Sequence, residues 1–350
     1  MTTATPADTA VREEQREQTR LALGSLLIPL FFVTLFATCI MGTYHKPHPN
    51  GIKVGVVGPS AVTAPLRAKL EQSGGSAYDI RAVGSVAAAV HAVRQRDLNA
   101  AFVPTANPRQ PAHVIVAGGG GELVAVAAED LARAVTATQG AQLVVQDVRP
   151  LAAGDEIGIG IFMFMIVCTI CGYLAVSLLH TAAPTLSPGR RYAMIAALSV
   201  LVPGSAYLIG GLGFGIYKGS VGTILAFIGV AALYTLVIGL VTRLFQVLIG
   251  PPALFVSLAI FVFLNIPSLG ATYTSTMLPS FWRFLNHFWL GAETTNAERS
   301  LLYFGGQDVG TDMLRLLAWT AVAIGILLLP VSRKLSRQRE RPLVARTVER

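Results

Sequence analysis

Long apolar runs dominate the pattern of hydrophobic and polar positions along this chain. An α-helix needs about 20 predominantly apolar residues to cross roughly 30 Å of hydrocarbon. Runs of about that length lie at 21–42, 157–180, 193–215, 220–242, 251–270 and 313–331. The pattern therefore predicts a polytopic α-helical membrane protein with six transmembrane helices. We expect the first run to remain as an uncleaved signal anchor, because it is longer than the apolar core of a typical signal peptide.

Between the first two runs, residues 43–155 show a different pattern, in which short β-branched segments alternate with helical ones. Predicted strands are GIKVGVVGPS, YDIRAVGS, NAAFVPTANP, HVIVAGGGG and AQLVVQDVRPL. Predicted helices are AVTAPLRAKLEQSG, SVAAAVHAVRQRDL and ELVAVAAEDLARAVTATQG. Strands that alternate with helices of this length indicate βαβ units around a mainly parallel sheet. We therefore expect an α/β domain, without cysteine, inserted between transmembrane helices 1 and 2.

The connection 271–312, which precedes the last apolar run, is too apolar for a solvated loop. Its segment FWRFLNHFWL repeats large apolar side chains at the spacing of one helix face: Phe281, Trp282, Phe284, Leu285, Phe288 and Trp289. Arg283, Asn286 and His287 fall on the opposite face. A segment this short cannot span the bilayer, so the pattern predicts a re-entrant or interfacial helix at 281–290, at the outer leaflet.

We interpret this short helix as a substrate path or gate. The residues assigned to it are Phe281, Trp282, Arg283, Phe284, His287, Phe288 and Trp289. In this interpretation the aromatic face packs on the outer ends of the transmembrane helices and closes the path. The alternative is a surface helix that only anchors the membrane domain.

Composition supports the membrane assignment. Hydrophobic residues make up 53% of the chain, charged residues only 13%, and the mean hydropathy is +0.59. A typical soluble domain is about 25% charged. A chain with so few charges cannot cover a large globular surface, which excludes a cytosolic enzyme, a disordered tail protein and a disulfide-rich secreted scaffold.

The net charge of +8 is explained by membrane topology rather than by a nucleic-acid partner. Outside 43–155, basic residues gather at alternate membrane ends: Arg12, Arg16, Arg20, Arg190, Arg191, Arg243 and the segment 333–350. Short cytoplasmic segments carry an excess of Lys and Arg. We therefore predict a plasma-membrane protein with a cytoplasmic N-terminal tail at 1–20, an extracytoplasmic domain at 43–155, a transmembrane domain at 156–332 and a basic cytoplasmic tail at 333–350.

No catalytic, cofactor or metal site is predicted. The glycine run Gly118–Gly121 follows a strand and precedes a helix, which fits a tight turn or an anion site. Cys168 and Cys171 have redox-pair spacing but lie within a predicted span, which favours a packing role, and His45 and His48 fit a linker better than a metal clamp. The middle of every span lacks ionisable side chains, which counts against a proton-driven pump.

Several segments together resemble a known family over nearly the whole chain. They are KVGVVGPS, AVRQRDLNAAFVP, VRPLAAGDEIGIG and NIPSLGATYTSTMLPSFWRFLNHFWLGAETTNAERSLLYFGG. The arrangement resembles permease subunits of type-2 ABC exporters, in the phage-infection-protein-like branch of Gram-positive bacteria. The matching motif positions are Asp155, Pro267, Pro279 and Arg299.

The resemblance implies that a separate ATP-binding subunit docks on a cytoplasmic loop. That loop would have to fit within 181–192, where the candidate ATPase-contact residues are Pro188, Gly189, Arg190 and Arg191. The chain also departs from the family, because residues 8–20 are too polar for the amphipathic helix with which such exporters usually begin.

The function implied is a permease-like subunit that moves an amphipathic or lipid-like substrate outward through the bilayer. Its expected partners are a second copy or a paired membrane subunit, and the separate ATPase. The alternative is a non-transporting anchor or receptor whose outer domain binds a cell-envelope, secretion or phage partner.

Overall fold

The computed structural model describes residues 6–47, 49–59, 61, 63–65, 67–68, 75–105, 107, 109–330 and 332. They fall into two compact units, Met1–Lys46 and Pro47–Arg350. The predicted basic tail at 333–350, His48 and most of the helix predicted after the first strand lie outside the described residues.

The first unit is one helix, α1 (Pro6–Tyr44). It joins the predicted polar tail and the first predicted span without a break. Its apolar part, Gln15–Tyr44, is long enough to cross a membrane. Pro29 lies inside this helix.

The second unit begins with a five-stranded sheet. Its strands are β1 (Ile52–Val57), β2 (Tyr78–Val83), β3 (Ala100–Val103), β4 (Ala112–Val116) and β5 (Leu143–Asp147). The strand order is β2-β1-β3-β4-β5, and only the β3–β4 pair is antiparallel. The prediction of a mainly parallel sheet is confirmed. The β-branched residues of β1 and β4 are buried, as in parallel sheets covered on both sides, whereas Val144 and Val145 of β5 are exposed.

Two helices that the structure describes from end to end accompany the sheet: α2 (Val86–Arg94) and α3 (Glu122–Ala137). The Ser85 hydroxyl caps α2 by accepting a hydrogen bond from the Ala88 backbone N–H at 3.1 Å. The two sheet faces pack into separate cores, and each core also holds residues from far along the chain. Met277 joins the core beside α3, and Phe304 joins the core beside α2. The sheet is thus packed directly on the segment 271–312.

Four further helices are long and apolar enough to cross a membrane. They are α4 (Gly160–Ala182), α5 (Pro188–Tyr207, continuing as a π-helix over Leu208–Gly213), α6 (Val221–Ile249) and, after the shorter helices below, α10 (Val309–Leu328). With α1 they give five candidate spans among the described residues, consistent with a polytopic helical membrane protein.

The fifth predicted span, 251–270, is a shorter apolar helix, α7 (Ala253–Ser268). At 1.5 Å per residue it is roughly 24 Å long. Pro251 and Pro252 set its start, and Gly270, with a φ of +70°, turns the chain after its end. The structure also places Arg243 inside α6 and buried, although the sequence predicted that it would follow this span.

Two short helices precede α10: α8 (Ser280–Asn286) and α9 (Leu290–Tyr303). α9 and α10 form a hairpin in which the Trp289 and Trp319 rings lie 6.4 Å apart. Trp319 is near the middle of α10. Helix α9 therefore begins beside the middle of α10 and runs back toward the sheet. It packs against α4, α6 and α10.

Candidate functional site

Helix α9 carries ionisable side chains into the protein interior. From Leu290 to Ser300 every residue except Asn296 is buried, including Glu293, Glu298 and Arg299. Buried ionisable groups among apolar helices are costly and usually mark functional sites. Arg299 was expected here as a motif position, but Glu293 and Glu298 were not predicted as site residues, because the apolar and polar residues of this helix follow no clear stripe.

The Glu298 carboxyl is fully buried, and neither of its oxygens has a hydrogen-bond partner among the described residues. Cys168, Tyr217 and Tyr234 lie near enough to interact with it electrostatically. Burying an unpaired carboxylate costs far more than burying the neutral acid. The neutral form of Glu298 is therefore strongly favoured.

A buried polar chain lies in the same helix bundle. Asn265 Nδ2 donates to Tyr234 Oη at 2.7 Å, and Tyr234 Oη shares a hydrogen bond with Thr169 Oγ1 at 2.6 Å. The Asn265 carbonyl oxygen has no partner within the described part of the chain. Together with Glu298, these groups line the bundle interior with polar atoms that apolar packing alone does not require.

A cavity of about 130 Å³ lies between the sheet, the loop after α7, and α9. Arg96 and Arg299 both line it. Arg299 Nη2 donates to the backbone oxygens of Gly270 and Ala271, at 2.8 and 2.6 Å. Arg96 Cζ lies 5.3 Å from the centre of the Phe304 ring, within cation–π range.

Burial affects the pKa of both guanidinium groups. Burial lowers the pKa of Arg96, and burial together with the nearby charge of Arg96 lowers the pKa of Arg299 to about 10. Two neighbouring cations of this kind form a region of positive potential. That region was not predicted, because Arg96 and Arg299 are far apart in sequence.

The glycine run Gly118–Gly121 is a tight turn. The backbone N–H groups of all four residues already donate hydrogen bonds to protein oxygens. A Cβ at Gly119 would lie 2.4 Å from Tyr303 Cγ. Of the two interpretations of this run, the structure favours the packed turn, because no N–H group is left for an anion.

The helix predicted at 281–290 is shorter, and its aromatic side chains do not share one face. Phe281, Phe284 and Phe288 are exposed, whereas Trp282 is buried. Asn286, predicted on the polar face, is buried, and its Nδ2 donates to the Ser268 backbone oxygen at 2.8 Å.

The prediction of one aromatic face opposite one polar face was therefore wrong. The helix ends at Asn286, and its inward positions, Trp282, Leu285 and Asn286, follow i, i+3, i+4 spacing. Arg283 Nη2 donates to the Leu278 backbone oxygen at 2.9 Å, His287 is exposed and Trp289 half-buried. The role of these residues as a substrate gate stays a prediction.

The four motif positions lie in different places. Asp155 is buried, and its Oδ1 accepts hydrogen bonds from the backbone N–H groups of Ile159 and Gly160, both at 2.9 Å, at the start of α4. Burial raises the pKa of Asp155. Pro267 lies near the end of α7, Pro279 directly precedes α8, and Arg299 lines the cavity.

The candidate ATPase-contact residues divide between the surface and the interior. Pro188, Gly189 and Arg190 are exposed at the start of α5. Arg191 is buried; its Nη2 donates to the Ala183, Pro184 and Leu186 backbone oxygens, at 3.1–3.4 Å, and so holds the five-residue turn between α4 and α5.

An open apolar groove of about 550 Å³ follows α5 and α6. Its lining includes Leu201, Tyr207, Leu208, Val221, Ile224 and Leu225. Several of these side chains are more than half exposed, although they belong to helices with the composition of membrane spans. In a bilayer such a groove would face acyl chains.

Within the described residues, no group of three or more His, Cys, Asp and Glu side chains has the arrangement of a metal site. The polar interior around α9, with its adjoining arginine cavity, is therefore the candidate functional site. Comparisons with known protein families, with curated proteins and with solved structures find no match for this chain.

Proposed function

We propose that this chain is a permease-like membrane subunit that moves an amphipathic or lipid-like substrate outward. The observation that carries the proposal is the fully buried and unpartnered carboxyl of Glu298, on a helix enclosed by apolar helices. A static membrane anchor gains nothing from such a group, whereas polar groups inside membrane bundles commonly line substrate or ion pathways.

The groove between α5 and α6 supports a lipid-like substrate. Its walls are apolar and open along the helices, as a lateral route for acyl chains requires. The arginine cavity and the Glu298 carboxyl would meet the polar part of the same class of molecule. A purely aqueous solute would need no apolar groove.

Energy for this movement would come from a separate ATP-binding subunit. The sequence has no glycine-rich phosphate loop of the Gly-x4-Gly-Lys-Ser/Thr type. The exposed start of α5, at Pro188, Gly189 and Arg190, is the proposed contact for that subunit. A second copy of this chain would complete the membrane part.

Inside-out membrane vesicles that contain the full chain test the proposal. Addition of ATP should drive a short-chain fluorescent phospholipid into the vesicles, because export from the cell corresponds to uptake here. Glu298→Gln keeps the shape of the neutral side chain but can no longer release a proton during the transport cycle, and it should abolish uptake at equal protein abundance. The matched control is Glu156→Gln, because Glu156 is exposed.

Purification from host membranes provides the second measurement. An ATP-binding subunit should accompany the chain, and ATP turnover should be absent when the chain is purified alone. ATP turnover by this chain alone, or uptake that is equal in Glu298→Gln and wild type, would contradict the proposal. Absence of both uptake and an ATPase partner would favour the anchor or receptor function.

A further inference from the structure

We propose that the cavity between Arg96 and Arg299 binds a phosphate group, carried either by a lipid headgroup or by a free phosphate ion. This inference rests on the proposed function only in the lipid-headgroup case, where it names the polar part of the substrate. The cavity is formed by the turn after α2, the turn before α3, the loop after α7, and α9.

Both arginines have guanidinium N–H groups that donate to no protein acceptor among the described residues. Arg299 is only 4% exposed, and among the described residues its hydrogen bonds all leave through Nη2, to Gly270 and Ala271. Its Nε and Nη1 groups have no acceptor within that part of the chain. The Arg96 guanidinium makes neither a hydrogen bond nor an ion pair there, and it lies over the Phe304 ring.

Buried charges are normally paired, because leaving them unpaired costs several kcal/mol or shifts their protonation. Two arginines on one cavity wall raise that cost, since each repels the other. An oxyanion in the cavity would neutralise both. The planar guanidinium presents paired N–H groups that match two oxygens of a phosphate group.

Neutral donors complete the lining. Thr274, Ser275 and Thr276 contribute hydroxyl groups from the loop after α7, and Asn296 contributes an amide from α9. One water needs about 10–15 Å³ of such volume. A cavity of about 130 Å³ therefore holds a group of several atoms rather than a single water.

The acidic residues near the cavity do not cancel its positive charge. Asp308 and Asp312 attract Arg96 through space, but neither forms an ion pair with it in the described structure. Asp308 is exposed and hence screened by solvent, and the buried Asp312 also lies near the Arg315 cation, which offsets it. Glu298 is favoured in its neutral form. The two guanidinium charges thus dominate the cavity.

Phosphate binding to the full-length purified chain tests this inference. One measurement uses inorganic phosphate and isothermal calorimetry in a zwitterionic detergent. The other uses native mass spectrometry to count phosphatidylglycerol molecules retained from nanodiscs, with phosphatidylcholine nanodiscs as the neutral-lipid comparison. The key variant is Arg96→Gln, because the Arg96 side chain makes no hydrogen bond among the described residues that the fold would lose. The matched control is Arg94→Gln, which removes an exposed charge two residues earlier, at the end of α2.

Loss of one charge-assisted hydrogen-bonding group should weaken binding at least about tenfold in Arg96→Gln, while Arg94→Gln should bind like wild type. Binding of inorganic phosphate assigns a free anion site, and retention of phosphatidylglycerol alone assigns a lipid headgroup. Equal binding by the two variants, or no binding of either probe by wild type, would overturn the inference. Because no step requires ATP or transport, a failed uptake assay leaves this result interpretable on its own.

Discussion

Arg315 Nη1 donates to both carboxylate oxygens of Glu293, at 2.7 and 2.9 Å, and thereby joins α10 to α9. The two partners differ in environment: the Glu293 side chain is 2% exposed and the Arg315 side chain 55%. The exposed Arg315 guanidinium therefore neutralises the Glu293 carboxylate, which is buried inside the α9–α10 hairpin. Asp312, one turn before Arg315, is also buried, and Arg315 and Arg96 both offset the charge of this acidic region.

Arg315→Met should destabilise the protein, because it leaves the buried Glu293 carboxylate without its cation. Breaking a fully buried pair costs about 3–5 kcal/mol, and partial exposure of Arg315 lowers the expected loss to about 2 kcal/mol. The measurement is the thermal unfolding midpoint in detergent. The double variant Glu293→Gln with Arg315→Met should recover part of the loss.

The exposed pair Arg81–Asp79, also at 2.7 Å, is the matched control. Arg81→Met should change stability by less than about 1 kcal/mol, since both partners are solvated. A midpoint for Arg315→Met as close to wild type as that of Arg81→Met would show that the α9–α10 pair contributes nothing.

Asp155 gives a prediction about pH. Burial raises its pKa in the folded protein, so the folded state binds a proton more readily than the unfolded chain does. Stability should therefore fall as pH rises from the ordinary aspartate value through the raised pKa. Asp155→Asn keeps an oxygen that can accept from Ile159 and Gly160 but cannot titrate, so this fall should be missing from its unfolding midpoints.

The variant Asp155→Ala distinguishes the role of Asp155 as a hydrogen-bond acceptor from the effect of its charge. It removes the acceptor at the start of α4 and should cost about 1 kcal/mol at any pH. If wild type and Asp155→Asn show the same pH dependence, Asp155 does not titrate in the range measured and the prediction fails.

Gly119→Ala should destabilise the contact between the sheet and α9. The new methyl group would meet the Tyr303 ring, and overpacking of this kind typically costs about 1–3 kcal/mol. Gly84→Ala is the control, because a Cβ there meets nothing within 4 Å. Thermal midpoints of the two variants should differ clearly; a match between them would mean that Tyr303 moves aside freely.

Membrane orientation remains a prediction that single cysteines can test. A cysteine at Asp130 should react with an impermeant thiol reagent on intact cells, and one at Ser187 only after the cells are opened. Both positions are exposed, while the native Cys39 and Cys168 are buried. The reverse labelling pattern would overturn the assignment of cytoplasmic termini.

Local patterns predicted those elements that local forces determine. The β-branched segments such as IKVGVV became strands, and the apolar runs became long helices, because each buries its own apolar surface. Asp155 was expected as a motif position of the resembled family, and its hydrogen bonds at the start of α4 come from the structure.

The candidate site was not predictable in this way. The segment LGAETTNAERSLLY is nearly balanced between polar and apolar residues, and its burial depends on helices that precede and follow it. Arg96 and Arg299 are brought together by the packing of the sheet on α9, which no spacing in the sequence encodes. Asn286 was misplaced because its hydrogen bond to Ser268 offsets the cost of burying an amide.

The polarity of α9 has a consequence for how the chain enters its membrane. Each ionisable residue at the centre of an inserting helix costs about 2.5–3.5 kcal/mol, so a segment with Glu293, Glu298 and Arg299 would be rejected by lipid during synthesis. The apolar helices α4, α6 and α10 can insert independently, and α9 can find its place only between them. For an α9 that lies within the bilayer, we therefore expect an order of insertion in which α4, α6 and α10 enter the membrane first and α9 is placed between them last.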